Sequence, residues 1–216
     1  MPKPRSLTDL PYARFLAAAD GPPVRSGDYE TVHFADLDLT GVQADGARFL
    51  ESAFSSVDLT DARLRNALFN EVWMQSGRLV GTNLAESRWL DSEVCVASLA
   101  GTALYGAELT RVAFFGCKLV AVNLREARLR DVVFADCSLD GVDLTGATLT
   151  NVSFPGSTLH DVALDRTTMR HVDLRQARDL SFQAGRDSLA GLTVNPHQLL
   201  GLAPAFAQIL GVTVAD

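Results

Sequence analysis

Lysine is almost missing from this 216-residue chain: Lys3 and Lys118 are the only two among nineteen cations. Against 26 acidic residues, that leaves a formal net charge of -7 and a pI near 5.0. Direct binding to nucleic acid needs a basic footprint and is excluded. An acidic surface instead attracts a basic partner groove. Arginine in place of lysine is expected of a GC-rich bacterial genome. Cysteine is scarce too. Cys95, Cys117 and Cys137 are an odd, sparse set that makes no disulfide framework and points to a reducing compartment, the cytoplasm. There is no long apolar run. Phe15 to Ala19 is too short for a signal peptide or a membrane span. The four histidines, His33, His160, His171 and His197, share no phase, and metal ligation needs convergent ligands. Nothing marks a catalytic triad, a phosphate loop or a carboxylate dyad. The sequence predicts no enzyme, no metal and no cofactor.

What the chain has is a period. Starting at Phe34 and stepping by five, 29 consecutive positions are apolar, ending at Leu174, with no slip of phase. Two residues before each stands a second, small column: Val42, Ala47, Ser52, Val57, Ala62 and Ala67 begin it. Neither an α-helix, with period 3.6, nor a flat strand, with period 2, places every fifth residue on one side. The chain must therefore turn a corner every five residues. A longer period lies inside the short one. Steps of twenty from Leu39 read leucine throughout, to Leu159, and steps of twenty from Phe34 read Phe34, Phe54, Met74, Val94, Phe114, Phe134, Phe154 and Leu174. Four five-residue sides thus make one square coil, with large residues filling the axis and small ones beneath the corners. Between residues 74 and 94 the packing should be weakest, because Met74, Trp89 and Val94 break the Leu/Phe rule and Gly77 leaves the small column empty.

Segments such as Ala107-Glu108-Leu109-Thr110, Val142-Asp143-Leu144-Thr145-Gly146 and Thr82-Asn83-Leu84-Ala85 resemble the repeat of the pentapeptide-repeat family. The resemblance implies an all-β fold, a right-handed quadrilateral β-helix of about seven coils, roughly 34 Å long at the usual strand spacing. No insertion interrupts the phase, so no loop should project from the rod.

Three stretches follow: an N-terminal cap over residues 1–27, the solenoid over 28–178, and a C-terminal cap over 179–216. Each end of a solenoid exposes strand edges that must be blunted. Thr8 to Ala19 reads as a short helix with Thr8 as N-cap, stopped by Gly21-Pro22-Pro23. Asn195-Pro196 reads as N-cap and first position of a second helix, with Gly211 as its stop and a kink or split expected at Pro204. Its Leu199, Leu200, Phe206, Ile209 and Leu210 cover most of the circumference, so the helix should cap the last coil, join two copies as a homodimer, or do both. Val212-Thr213-Val214 is expected to form a short strand, pairing with Leu192-Thr193-Val194. Cys117 and Cys137, twenty apart, should stack as small core residues, although a disulfide is sterically conceivable. Cys95 should face outward or sideways.

Charge is the feature with functional content. Residues 28–174 carry 21 acidic and 12 basic side chains. One outward column reads Glu51, Glu71, Asp91, Arg111, Asp131, Asn151 and His171, so that carboxylates one coil apart repel. Glu51, Glu71, Asp91 and Asp131 are the candidate partner-binding residues; the alternative is that the repeat itself favours acidic residues. The family resemblance implies a partner as well. Its quinolone-resistance members resemble B-DNA in width and charge and bind the DNA saddle of type II topoisomerases, which makes DNA gyrase the expected partner. The competing reading is a scaffold for an unrelated partner, and Leu50, Leu68 and Leu90 hint at an apolar patch of that kind.

Overall fold

The computed structural model describes residues 3–185 and 188–213. Its body is a quadrilateral β-helix in which every strand pairs in parallel with the strand one coil away. Partners differ by twenty in number: Phe34 with Phe54, Leu99 with Leu119, Leu109 with Leu129. The four sides are named here by their first inward residue, Phe34, Leu39, Ala44 and Phe49. On the Ala44 side the strands shrink to single bridges, from Gln43–Arg63 to Asp143–Ala163. The Phe49 and Phe34 sides merge into one sheet because Arg128–Ala135, Thr148–Ser153 and Thr168–Asp173 run around the corner between them.

The corners explain how a five-residue period closes into a square. From Ser26 to His171 every fifth residue has a positive φ, between 47° and 71°, and only nine of these are glycine. Asp, Asn and Gly tolerate this left-handed conformation, whereas a β-branched residue is strained in it. Val96, with φ 53°, is such a residue, and Thr31 is the other. The inward residues form one continuous core from Phe34 to Leu174. Aromatic rings stack coil on coil: Tyr29, Phe49, Phe69 and Trp89 in one ladder, Phe114, Phe134 and Phe154 in another, with centroids 3.9 to 5.2 Å apart. The segment expected to pack worst has its own remedy. A Cβ on Gly77 would lie 2.8 Å from Met74 Sδ, so the methionine sulfur takes the room the glycine leaves, and Trp89 donates its indole N–H to Ser87 Oγ at 3.0 Å.

Both ends depart from expectation. Instead of a helix over Thr8–Ala19 there are two 3-10 turns, Leu7–Asp9 and Ala13–Phe15, followed by a strand, Ala17–Ala18, paired with Val32–His33. Ser6, not Thr8, caps the first turn, and Pro11 stands between the two. At the other end Leu180–Ala184 and Leu192–Thr193 add a further turn to the solenoid beyond residue 178. Ten strands consequently stack on the Phe34 side, giving a rod of about 43 Å at about 4.8 Å per step. Gly185 and Gly191 admit that irregular last turn, since a Cβ on either would lie 2.1 Å from backbone atoms of Leu164 or Met169. The C-terminal helix, Pro196–Ile209, has the expected cap: Asn195 and Gln198 bond each other's backbone N–H at 2.9 Å. It runs through Pro204 unbroken. Leu192–Thr193 pairs with Val172–Asp173, not with Val212–Thr213, which form no strand; Val214 lies outside the described residues.

A candidate interaction surface

Part of the acidity has a local structural cause. On the Leu39 and Ala44 sides the residue before the inward leucine accepts a backbone N–H from two positions on: Asp38 from Thr40, Asp58 from Thr60, Asn83 from Ala85, Asn123 from Arg125 and Asp143 from Thr145, at 2.9 to 3.1 Å. These are Asx turns, and asparagine serves as well as aspartate. Hydrogen bonds from Thr40 hold the Asp38 carboxyl below the usual range. The acidity of these two sides is therefore partly a by-product of the repeat.

The Phe34 side is different. Together with its two corners, within residues 28–174, it carries eight carboxylates and one arginine: Asp36, Glu93, Asp136 and Asp173, the predicted Glu51, Glu71, Asp91 and Asp131, and Arg111. The rest of that stretch holds thirteen carboxylates and eleven cations. The excess negative charge of the rod thus gathers on one side, and the predicted column is its edge. Within that edge the four residues are not equivalent. Arg111 clamps Asp91 with two bonds, at 2.5 and 2.8 Å, holding its carboxyl below the ordinary value. Asn151 donates to Asp131 at 2.8 Å. The carboxylates of Glu51 and Glu71 have no hydrogen-bonding or ionic partner among the described residues, and as glutamates at positive φ (47° and 53°) they gain nothing that the corner favours. They are the unexplained part of the row.

The same side carries apolar residues at outward positions: Ala53, Trp73, Cys95, Phe115 and Ala135, all buried. What covers the upper ones is the N-terminal segment, which runs along the rod as a strap instead of plugging its end. Leu10 and Tyr12 are buried against Ala53 and Trp73. Arg5 bonds Glu93 through both its backbone N–H, at 3.1 Å, and its Nε, at 2.8 Å, while Trp73 Nε1 donates to the Arg5 carbonyl at 3.1 Å. Burial raises the Tyr12 phenol well above its ordinary value, and Glu71, Glu51 and Glu93 add to the rise. Between strap and acidic edge lies a cleft of about 440 Å³ lined by Arg5, Tyr12, Glu71, Asp91, Glu93 and Arg111. Sequence reasoning missed the strap, although Trp73 and Phe115 at outward positions were its signal. Cys95, expected outward or sideways, is buried on this flank, which pushes its thiol up to about 12. Cys117 and Cys137 are free thiols of the inner column, the Cys117 N–H pointing at Cys137 Sγ at 3.4 Å. Leu50, Leu68 and Leu90 are half-buried on the Phe49 side.

Two family models match this chain: pentapeptide repeats, in eight copies, over residues 33–70, and a pentapeptide repeat region over residues 91–164, together more than half of its length. The chain belongs to the pentapeptide-repeat family. No curated protein matches its sequence. Among solved structures it is similar to a trypsin-treated variant of QnrB1, a plasmid-mediated fluoroquinolone resistance protein, at 17% identity over 92% of this chain and 95% of that one, with a TM-score of 0.60. Full-length QnrB1 gives 13% identity, 91% and 100% coverage, and a TM-score of 0.56. HetL, a pentapeptide repeat protein involved in heterocyst differentiation regulation from the cyanobacterium Nostoc sp. strain PCC 7120, gives 18%, 79% and 90%, and 0.46. At these identities the likeness to QnrB1 shows the fold alone.

Of the five residues expected to join two copies, Leu199, Leu200, Ile209 and Leu210 are exposed, Leu200 and Leu210 by 73% and 75%. Phe206 instead packs on the core beside the buried Leu202.

Proposed function

We propose that this protein is a non-enzymatic DNA mimic that binds the basic DNA-binding groove of a type II topoisomerase, DNA gyrase, and alters its response to inhibitors. The observation that carries this reading is the segregation of charge: within residues 28–174 one side of the rod has eight carboxylates against one arginine, beside near balance elsewhere. Although Arg5, Arg111, Arg175 and Arg178 pair with Glu93, Asp91, Asp173 and Asp136, the carboxylates of Asp36, Glu51, Glu71 and Asp131 make no salt bridge among the described residues. The likeness of nearly the whole chain to QnrB1, a fluoroquinolone resistance protein, supports it. B-DNA carries about twenty charges over 34 Å. Eight carboxylates over the same length make the mimicry partial, and end-to-end pairing of two rods through the exposed leucines of the C-terminal helix would double its reach. The test is a gyrase supercoiling titration with and without a gyrase poison. Inhibition, or reduced poison-stabilised cleavage, at micromolar protein is expected, and replacing Glu51, Glu71 and Asp91 together by lysine should abolish it without unfolding the rod. Full activity of that triple variant would remove the acidic edge from the mechanism. The second reading, a scaffold for another protein, draws on the apolar outward residues of the Phe34 side. It predicts no effect on gyrase at all.

A further inference from the structure

The strap differs from the rod in chemistry and in attachment. Residues 3–16 hold Lys3, Arg5 and Arg14 against one carboxylate, Asp9, and they lie across the side of the rod that is short of cations. Between Arg5 and Ala17 no described backbone group of the strap bonds to the rod. Its bonds close within its own two turns, Asp9 to Ser6, Leu10 to Leu7, Ala13 to Leu10 and Phe15 to Tyr12. The coils beneath satisfy their backbones from coil to coil, as Trp73 N–H does on Ser52. Strap and rod are therefore separable units in the sense of local opening, held together by the Arg5–Glu93 clamp, the Trp73 bond to the Arg5 carbonyl, and the packing of Leu10 and Tyr12 with Leu7, Ala13 and Leu16 around them. The flank itself is apolar where a repeat requires nothing apolar: Ala53 and Trp73, 0% and 2% exposed, are buried in one cluster with Leu10 and Tyr12.

We propose that the Ala53–Trp73–Glu93 flank is a peptide-docking surface which residues 3–16 occupy in cis, and that a partner segment of the same pattern takes their place. That pattern is a basic residue for Glu93, followed five and seven positions later by an apolar and an aromatic side chain, as in Arg5, Leu10 and Tyr12. The inference does not rest on the topoisomerase reading.

The probe is a fluorescent synthetic peptide of residues 3–16, titrated by anisotropy into the full chain. Wild-type protein, its flank occupied, binds the peptide weakly. The full chain carrying Arg5→Ala and Tyr12→Ala, which weaken only the resident strap, binds it at least about tenfold more tightly. Adding Trp73→Ser to that variant removes the gain, and Glu93→Gln, which leaves every apolar contact in place, removes part of it. Equal affinity in wild type and the strap variant, no binding to the strap variant, or binding that survives Trp73→Ser would each overturn the proposal.

Discussion

The coil body and the C-terminal cap are built from similar proportions of leucine, yet they hold it differently. In the body, each inward residue meets its equivalent twenty positions on, and residues such as Leu99, Leu119 and Leu139 are all but inaccessible. Past Leu174 the offset alternates, 21 at Leu159–Leu180 and Ala163–Ala184 but 20 at Val162–Phe182, before settling at 20 at Val172–Leu192. The helix that follows buries Leu202 and leaves Leu199, Leu200, Ile209 and Leu210 in solvent. A solenoid gains its stability from the interface of each repeat with its neighbours. The body therefore needs only the next coil, while the cap, which has no next coil, leaves an apolar face in solvent.

The largest expected effect lies in the body. Phe134→Ala removes the middle ring of the Phe114–Phe134–Phe154 stack and should cost about 3–5 kcal/mol in denaturant unfolding. A cost under about 1 kcal/mol would mean that the ladder is not what holds the coils. A smaller effect of opposite sign is expected at a corner. Val96→Gly relieves a β-branched side chain at φ 53°, 62% exposed, and should gain up to about 1 kcal/mol, part of it returned as unfolded-state entropy. Destabilisation there would show that the valine makes a contact worth more than its strain. The smallest effect on folding belongs to the cap. Leu200→Lys with Leu210→Lys should shift unfolding by no more than about 0.5 kcal/mol. It should nevertheless lower the sedimentation coefficient from that of a pair to that of a single chain. An unchanged coefficient would leave the exposed leucines without a second copy to cover them.

The fold was legible because its rule is short. One apolar position in five, one small position two before it, and aromatics segregated by twenty are enough to read coils, axis and stacking from Phe34 to Leu174. The corner conformation was not legible in the same way. Residues as unlike as Arg111, Val96 and Ala121 all stand at positive φ, since coil-to-coil pairing imposes the turn whatever the side chain. The acidic edge could be listed from the sequence, with Arg111 next to Asp91 and Asn151 next to Asp131, but which neighbour each of these side chains bonds depends on rotamers that the sequence does not state. Nor could the strap be placed, since a segment lying along a flank shares no period with what it covers. Trp73, too large for an outward position that needs no packing, was the trace it left.

The stacked rings have a consequence for how the chain reaches this state. A sequence that repeats every five residues can in principle wind up one side out of step, and a coil misaligned by five would still bury an apolar residue at every inward position. A coil five residues too long would set Phe34, Phe54, Phe114 and Phe134 over Leu59, Leu79, Leu139 and Leu159, and would break both ladders at once. The aromatic columns thus act as a key against that lengthened winding. They make the correct alignment recognisable within a coil or two, before the rest of the rod has closed on it.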